Sequence, residues 1–315
     1  MNSSEVYPVN SPKLVPSFVC FVDILGFTQL CKEALKSGNG DIFLNRIRFA
    51  LNQAYERVRE KSKGWEGNDR FSIKIFTDNA VVGYPLPNFE IDYGEGELGH
   101  IFSTFSEFQI GLAMEGFLVR GGIAYGTHYM DDDIVFGDAL LEAIAQDKAG
   151  GPPRISLTPS AVEALQHHIG FYGKSGWSPH YQDLLEDYDG TIFLNYLEHA
   201  FVAFPEGGIP LDVFADHEDT IVTGLEKYKG VPDIRAKYEW AARYHNFICR
   251  EFPEKNPVPT GPDADEVHSV AALQAQKLLE YKIDIESLAA SPSRIKLKPI
   301  SPGDTTKEGV SGDAT

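Results

Sequence analysis

The sequence has little of what marks secreted, membrane-spanning or zinc-binding proteins. Its three cysteines, Cys20, Cys31 and Cys249, form no C-x-x-C pair and lack the spacing of metal ligands. We therefore expect them to be reduced core residues. No apolar run approaches the roughly 18 residues of a membrane span, and the N-terminal segment lacks the basic and apolar regions of a signal peptide. These absences predict a cytoplasmic protein that does not contact a membrane.

Positive charge is also scarce. The 315 residues include 28 lysines and arginines against 46 aspartates and glutamates, which gives a formal net charge of -18. Nucleic-acid binding depends on clustered cations that neutralise phosphates, so this composition argues against a nucleic-acid partner. A nucleotide ligand would arrive together with its divalent metal.

Two apolar stretches of the sequence each contain one isolated carboxylate. Residues 18–27 (FVCFVDILGF) contain Asp23, and residues 74–85 (KIFTDNAVVGYP) contain Asp78 between two strand-like patterns. A carboxylate in an apolar strand is costly to bury unless it is paired or binds a metal, so the two aspartates suggest a two-metal phosphate site. Two simpler interpretations compete, since Asp23 could cap a following helix and Asp78 could be a turn residue.

The periodicity of apolar residues predicts the fold of the first half of the chain. Strand patterns cover residues 18–25, 70–77, 80–84 and 117–125, and helical patterns cover residues 41–61 and 98–112. The order strand, helix, strand, strand, helix, strand is that of the ferredoxin-like α/β (α+β) fold. Its first and third strands are antiparallel neighbours, which would place Asp23 beside Asp78.

The rest of the sequence predicts further helices and strands, and the whole chain divides into four segments. Helices are expected over residues 138–148, 159–168, 211–229 and 232–252, with strands at 154–157 and within 192–204. We divide the chain into an extended leader (1–16), a core (17–158), a mixed helical and strand extension (159–253) and a partly disordered tail (254–315). Within the tail, residues 267–288 form an amphipathic segment, and disorder is expected from residue 291 onward.

The first carboxylate motif resembles that of class III nucleotidyl cyclases, whose first strand ends in Asp-Ile-x-Gly-Phe. The matching residues are Asp23, Ile24, Gly26 and Phe27. KIFTD at residues 74–78 is similar to the family's Lys-x-x-Gly-Asp, with Thr77 in the glycine position. VRGGIAYG and IVFGDALLEAIAQDKAG are similar in layout to the fourth strand and the helix that follows it. The resemblance covers residues 18–157 and implies a cyclase core with a helical C-terminal extension.

The resemblance also implies a metal site and an assembly. Asp23 and Asp78 would bind two Mn²⁺ or Mg²⁺ ions together with the backbone carbonyl of Ile24, and two chains would form a homodimer. The chain departs from the family where an Asn and an Arg are expected, because Leu141 and Ala145 occupy those positions.

Within the family, the sequence most resembles the pyrimidine cyclases of bacterial Pycsar anti-phage systems. Purine-specific members have a polar group at the position of Ile134. The resemblance implies conversion of UTP to 3′,5′-cyclic UMP and pyrophosphate, with the product acting on a separate effector in antiviral defence. The alternatives are a cytidylate cyclase, an adenylate or guanylate cyclase, and a catalytically dead nucleotide-binding sensor. A purely structural dimer module would leave the two carboxylates unexplained.

Five further residues are candidates for substrate contacts. Arg120, Lys148 and Arg154 could replace the missing catalytic cation, although each could instead be an ordinary surface charge. Lys74 occupies the base-reading position of purine cyclases, and its alternative is an exposed strand residue. Phe21 could lie under the triphosphate, with core packing as its alternative.

Overall fold

The fold comes from a computed structural model that describes residues 7–62, 71–86, 95–171, 180–203, 210–258, 266–285 and 291–298. The strands are β1 (Val15–Ile24), β2 (Ser72–Phe76), β3 (Asn79–Pro85), β4 (Val119–Met130), β5 (Val135–Gly137), β6 (Ile155–Leu157), β7 (Leu184–Glu186), β8 (Ile192–Leu194) and β9 (Ser293–Arg294). The helices of the first half are α1 (Phe27–Lys36), α2 (Gly40–Ser62), α3 (Glu95–Met114), α4 (Asp138–Lys148) and α5 (Pro159–Phe171). Those of the second half are α6 (His180–Asp183), α7 (Tyr196–Ala203), α8 (Leu211–Lys227), α9 (Pro232–Lys255) and α10 (Glu266–Lys277), followed by a 3₁₀ turn at Leu278–Tyr281.

The four strands of the predicted core lie in the order β2-β3-β1-β4, and each neighbouring pair is antiparallel. This is the ferredoxin-like arrangement, so the predicted fold class is confirmed. In the register of the sheet, Phe21 in β1 pairs with Val81 in β3 and with Gly122 in β4.

The sheet continues beyond this core. Strand β6 pairs in parallel with β4, and the order then runs through β8 and β7 to β9, while β5 pairs with β4 as a hairpin. The second half of the chain therefore shares one sheet with the first. Its helices α7 to α9 enclose a separate apolar core around Phe193, Tyr196, Phe214, Trp240 and Tyr244.

The two faces of β1 pack against different helices because successive strand residues point to opposite sides. Phe18, Cys20 and Val22 face the large core that contains residues of α2 and α3. Val19 and Phe21 face a smaller cluster that contains residues of α4. Asp23 is the next alternate residue after Val19 and Phe21, so it lies on the same face of the sheet, which is covered by α4.

A glycine allows α4 to approach the sheet closely. A Cβ atom on Gly122 would lie 2.7 Å from the carbonyl oxygen of Ala143 and 2.8 Å from Cβ of Gln146. No larger residue fits there without displacing the helix. This contact fixes the last turn of α4 over the strand end that carries Asp23.

The structure differs from the sequence predictions at several places. Helix α1 was not predicted, and it follows Gly26, whose φ of 73° is a left-handed conformation suited to glycine. Residues 293–294 form β9 although disorder was expected from residue 291, and residues 299–315 lie outside the described part of the chain. In the predicted leader, Val15 already belongs to β1 and Tyr7 is buried. Helix α9 continues past the predicted boundary at residue 253.

No helix within the described ranges has both the length and the apolar character needed to cross a membrane.

Candidate active site

The two isolated aspartates meet at one end of the sheet. Asp23 is the penultimate residue of β1, and its register partners are Asn79 in β3 and Arg120 in β4. Asp78 lies in the turn between β2 and β3, and its carbonyl oxygen accepts a hydrogen bond of 3.2 Å from the backbone N–H of Ile24. The fold thus brings both carboxylates and the Ile24 backbone together, although they are far apart in sequence.

The turn that carries Asp78 has a left-handed residue. Thr77 has a φ of 53°, which is unfavourable for a β-branched side chain. Its hydroxyl donates a 2.6 Å hydrogen bond to Oδ1 of Asp78, and the side-chain amide of Asn79 donates to the same oxygen at 3.2 Å. Both flanking side chains therefore orient the Asp78 carboxylate.

Arg120 connects Asp23 to a third carboxylate that the sequence analysis missed. Its Nη2 lies 3.5 Å from Oδ2 of Asp23, and its Nε lies 2.9 Å from Oδ1 of Asp147 in the last turn of α4. Asp147 is buried together with Ala139 and Ala143 on the inner side of α4. In the sequence, Asp147 is one of several charged residues of α4, and no motif there marks it as facing the sheet.

Burial beside other carboxylates raises the pKa of Asp23 to about 6. Burial is the main cause, the nearby charges of Asp147 and Asp78 add to it, and Arg120 opposes it. Burial also raises the pKa of Asp147, against the attraction of Arg120. The site therefore holds negative charge that a single guanidinium does not fully offset.

The oxygen atoms of this cluster provide some of the ligands that a hard divalent cation requires. Carboxylate and carbonyl oxygens are the ligands that Mg²⁺ prefers, and Mg²⁺ is commonly bound by one or two carboxylates together with substrate phosphates and water. Asp23, Asp78 and the Ile24 carbonyl match that description. A bound cation would offset the burial of the Asp23 charge and the smaller effects of Asp147 and Asp78, which together raise the pKa of Asp23. Across the described ranges, no group of three or more His, Cys, Asp or Glu residues is arranged to hold a metal.

Phe21 and Lys74 lie on the same face of the sheet as Asp23. Phe21 is half-buried and packs against the cluster under α4. Lys74 pairs in register with Val81, which pairs with Phe21. The Lys74 ammonium donates to the backbone carbonyls of Asp131 and Asp132 at 3.2 and 2.7 Å, so it holds the tip of the β4-β5 hairpin.

Arg154 and Lys148 occupy different surroundings from Arg120. Arg154 is buried and forms ion pairs with Asp187 and Asp189, the second at 2.7 Å. Trp240 donates to Asp187 at 2.6 Å, so Arg154 is held within a network that joins β6 to α9. Lys148 is exposed at the C-terminus of α4. Of the three candidate cations, the structure brings only Arg120 into contact with Asp23.

A small cavity lies beside this cluster. It has a volume of about 20 Å³ and is lined by residues that include Arg120, Asp147 and Arg154. That is room for a water molecule rather than a nucleotide. A nucleotide would have to bind on the open side of the strand end.

The residues at the positions of the family's Asn and Arg do not reach the cluster. Leu141 is 69% exposed, and Ala145 is also exposed on α4. Ile134 is exposed in the hairpin between β4 and β5.

Comparison of the sequence with protein-family models and with curated proteins found no match. Among solved structures, the chain is similar to a class III adenylyl cyclase-like ATP-binding protein from Pseudomonas aeruginosa, with 12% sequence identity and a TM-score of 0.39. The match covers 54% of this chain and 39% of that protein.

Proposed function

We propose that the protein is a nucleotidyl cyclase that converts UTP to 3′,5′-cyclic UMP and pyrophosphate. The observation that carries this proposal is the meeting of Asp23 and Asp78 at one strand end, with Arg120 in contact with Asp23. The strand order and the motif DILGF support it, because both agree with the resemblance to class III cyclases.

The residues of this cluster can perform most of the required steps. Asp23, Asp78 and the Ile24 carbonyl would hold Mn²⁺ or Mg²⁺, which lowers the pKa of an attacking hydroxyl and offsets charge on phosphate oxygens. The ribose 3′-oxygen would form a bond to the α-phosphorus as the bond to the β-phosphate oxygen breaks, and the hydroxyl proton would pass to solvent. Arg120 would stabilise negative charge on the phosphates in the transition state.

The choice of a pyrimidine rests on the resemblance and on one residue. Ile134 offers no hydrogen bond to a purine where purine-specific members have a polar group. CTP is the first alternative substrate, and ATP or GTP would be the same chemistry on another base. Lys74 could contact a base edge only if its ammonium left the hairpin carbonyls that it binds.

The proposal includes a homodimer and a signalling role. Ile134, Phe136 and Leu141 expose apolar side chains on the β4-β5 hairpin and on α4, and such a surface suits contact with a second copy. The cyclic nucleotide would act in the cytoplasm on a separate effector in antiviral defence, as the resemblance implies.

The test is incubation of the purified protein with each of ATP, GTP, CTP and UTP in the presence of Mn²⁺, with cyclic monophosphates detected by mass spectrometry. The expected result is cyclic UMP, absent in the variants Asp23→Ala and Asp78→Ala. Cyclic product from CTP alone would mean that the substrate is CTP rather than UTP. Product from ATP or GTP alone would remove the pyrimidine preference but keep the chemistry.

A nucleotide-binding sensor without catalysis is the second candidate. It is favoured by the ion pairs that hold Arg120 between Asp23 and Asp147, and by the exposed Leu141 and Ala145 on α4. Triphosphate binding that depends on metal, without release of pyrophosphate from any of the four nucleotides, would identify this function.

A further inference from the structure

Helix α9 of the C-terminal region lies next to the candidate active site. Trp240 of α9 donates a hydrogen bond to Asp187, and Asp187 pairs with Arg154. Arg154 lines the same small cavity as Arg120 and Asp147. The ring of Trp240 also lies under the Arg154 guanidinium, with its centroid 6.0 Å from the central carbon. The N-terminal half of α9 is therefore anchored beside the strand end that carries Asp23.

Lys237 projects from this part of α9. It precedes Trp240 by three residues, so both side chains lie on the same side of the helix. Its ammonium interacts electrostatically with Arg120, which repels it, and with Asp147 and Asp23, which attract it. Burial and Arg120 together lower the pKa of Lys237, against the pull of these carboxylates and of Asp233. Lys237 thus belongs to the same charge cluster as the proposed metal ligands.

Lys148, whose charge also acts on Asp147, is exposed at the end of α4, and the two arginines near the cluster are already held by carboxylates. Arg120 contacts Asp23 and Asp147, and Arg154 is paired with Asp187 and Asp189. Lys237 forms no ion pair within 4.0 Å with any residue of the described ranges. It is half-buried, so its ammonium is free to bind a ligand without first breaking an internal pair.

We infer that Lys237 binds the triphosphate of the nucleotide at the Asp23–Asp78 site, and that the C-terminal region is thereby part of the active site. This inference rests on the proposed function. A lysine is a suitable phosphate ligand because its ammonium is a compact charge on a flexible stem. Lys237 would supply, from another helix, the positive charge that Ala145 does not provide on α4.

Two contacts with α8 hold the part of α9 that carries Lys237. Gly224 of α8 lies against the ring of Tyr238, where a Cβ atom would be 2.1 Å from a ring carbon. Arg235 donates to the carbonyl oxygen of Leu225 at 3.1 Å. Arg235 and Tyr238, which lie on either side of Lys237 in the sequence of α9, are thus fixed against α8, and this sets the direction of the helix.

The test uses the full chain and a probe without a base. Binding of inorganic triphosphate in the presence of Mn²⁺ is measured by isothermal titration calorimetry for the wild type, Lys237→Met, Lys237→Gln, Lys237→Arg and Lys229→Met. Lys229 is exposed beyond the end of α8, so its variant is a control with the same loss of charge. We expect the dissociation constant to rise about 10- to 100-fold for Lys237→Met and Lys237→Gln, as for loss of a charge-assisted hydrogen bond. Lys237→Arg should restore most of the affinity, and Lys229→Met should match the wild type.

Thermal unfolding of each variant identifies any loss of affinity that comes from misfolding. If Lys237→Met and Lys237→Gln lose affinity to the same extent, the loss is due to the missing ammonium and not to the particular side chain introduced. Wild-type affinity in folded Lys237→Met or Lys237→Gln would overturn the role of Lys237, while cyclic product from the wild type would still support the cyclase. Triphosphate binding that depends on Lys237, without cyclic product from any nucleotide, would support the inference and contradict the cyclase. Absence of both binding and product in the wild type would overturn both.

Discussion

Nε of Arg120 lies 2.9 Å from Oδ1 of Asp147, and this ion pair ties the last turn of α4 to the first residues of β4. The Asp147 side chain is 7% exposed and that of Arg120 is 25% exposed. Water therefore screens their attraction less than it screens a pair on the surface. Because Arg120 also contacts Asp23, the position of the site's guanidinium depends on a residue that would not itself touch the substrate.

A double-mutant cycle with Arg120→Met and Asp147→Asn should show this dependence. We expect a coupling energy of about 1 to 3 kcal/mol in urea unfolding, as for residues within one polar network. The matched control is the pair Lys227 and Glu33, whose charged atoms are 2.5 Å apart but whose side chains are 39% and 40% exposed. Its coupling should stay below about 1 kcal/mol. Equal coupling in the two cycles would mean that burial adds nothing to the Arg120–Asp147 pair.

Replacing Asp23 by asparagine should raise the stability of the protein and abolish its activity. Its pKa is raised to about 6, so at pH 7.5 its charged form is less favourable in the folded chain than in the unfolded chain. Asp23→Asn removes that charge, and the free energy of unfolding should rise by up to about 3 kcal/mol. Pyrophosphate release should nevertheless be lost, because the amide is a poor metal ligand.

The control for this experiment is Asp133→Asn, since Asp133 is an exposed residue of the β4-β5 hairpin. This variant should keep both wild-type stability and wild-type turnover. An Asp23→Asn variant that retained turnover would remove Asp23 from the metal site. One that was less stable than the wild type would contradict the unfavourable burial of the Asp23 charge at the strand end.

The turn before Asp78 should tolerate glycine. Thr77→Gly relieves the left-handed conformation of a β-branched residue, φ 53°, which costs about 1 to 2 kcal/mol. Part of that gain, about 0.5 to 1 kcal/mol, is offset by the greater freedom of glycine in the unfolded chain. We expect thermal unfolding to show a stability equal to the wild type or up to about 1 kcal/mol higher.

Thr77→Ala is the comparison for that substitution, because it keeps the strained conformation and removes the hydroxyl that orients Asp78. It should be less stable than Thr77→Gly. A higher stability for the alanine variant would show that the left-handed conformation is not a source of strain.

The closeness of α4 to the sheet should make Gly122 intolerant of alanine. The added Cβ would lie 2.7 Å from the carbonyl oxygen of Ala143, so the helix must move and the contact of Asp147 with Arg120 must change. We expect a loss of about 1 to 3 kcal/mol in urea unfolding, as for overpacked interiors. The control is Gly99→Ala in α3, where a Cβ atom meets nothing within 4 Å. That variant should gain about 1 kcal/mol from helix propensity.

Much of the core was predictable from sequence because its signals are local. Each of β1 to β4 has at least five residues, which is long enough to show the alternation or apolar run typical of a strand. The added strands β5 to β9 have three residues or fewer, so they are too short to show the alternation of apolar and polar residues that identifies a strand. Helix α1 was not predicted, although it could have been, because apolar residues recur there at helical spacing: Phe27, Leu30, Cys31, Ala34 and Leu35.

The candidate site was predictable only in part. Asp23 and Asp78 stood out because each interrupts an apolar strand pattern, and topology then placed them together. Asp147 and Lys237 lie on helices among other charged residues, where nothing in the sequence separates a residue facing the site from one facing water. Their relation to Arg120 depends on how α4 and α9 pack against the sheet, which is a property of the whole fold.

Histidine burial should make the protein sensitive to mild acid. His128 is buried, its two ring nitrogens have no hydrogen-bond partner among the described residues, and the ring packs edge-on against Tyr7 at 5.6 Å. Burial lowers its pKa from 6.5 to about 4, although the nearby carboxylate of Asp138 acts in the opposite direction. As the pH falls below 6.5, the unfolded chain takes up a proton that the folded chain excludes until about pH 4, so stability is lost across this window.

Because of His128, we expect the free energy of unfolding to fall by about 2 kcal/mol between pH 8 and pH 5. Urea unfolding at the two pH values measures the loss. The variant His128→Leu, which cannot take up this proton, should lose about 2 kcal/mol less than the wild type over the same interval. His245 also has its pKa lowered to about 4 by burial, so some acid sensitivity should remain in His128→Leu. An unchanged loss in that variant would show that His128 is protonated as readily in the folded chain as in the unfolded one.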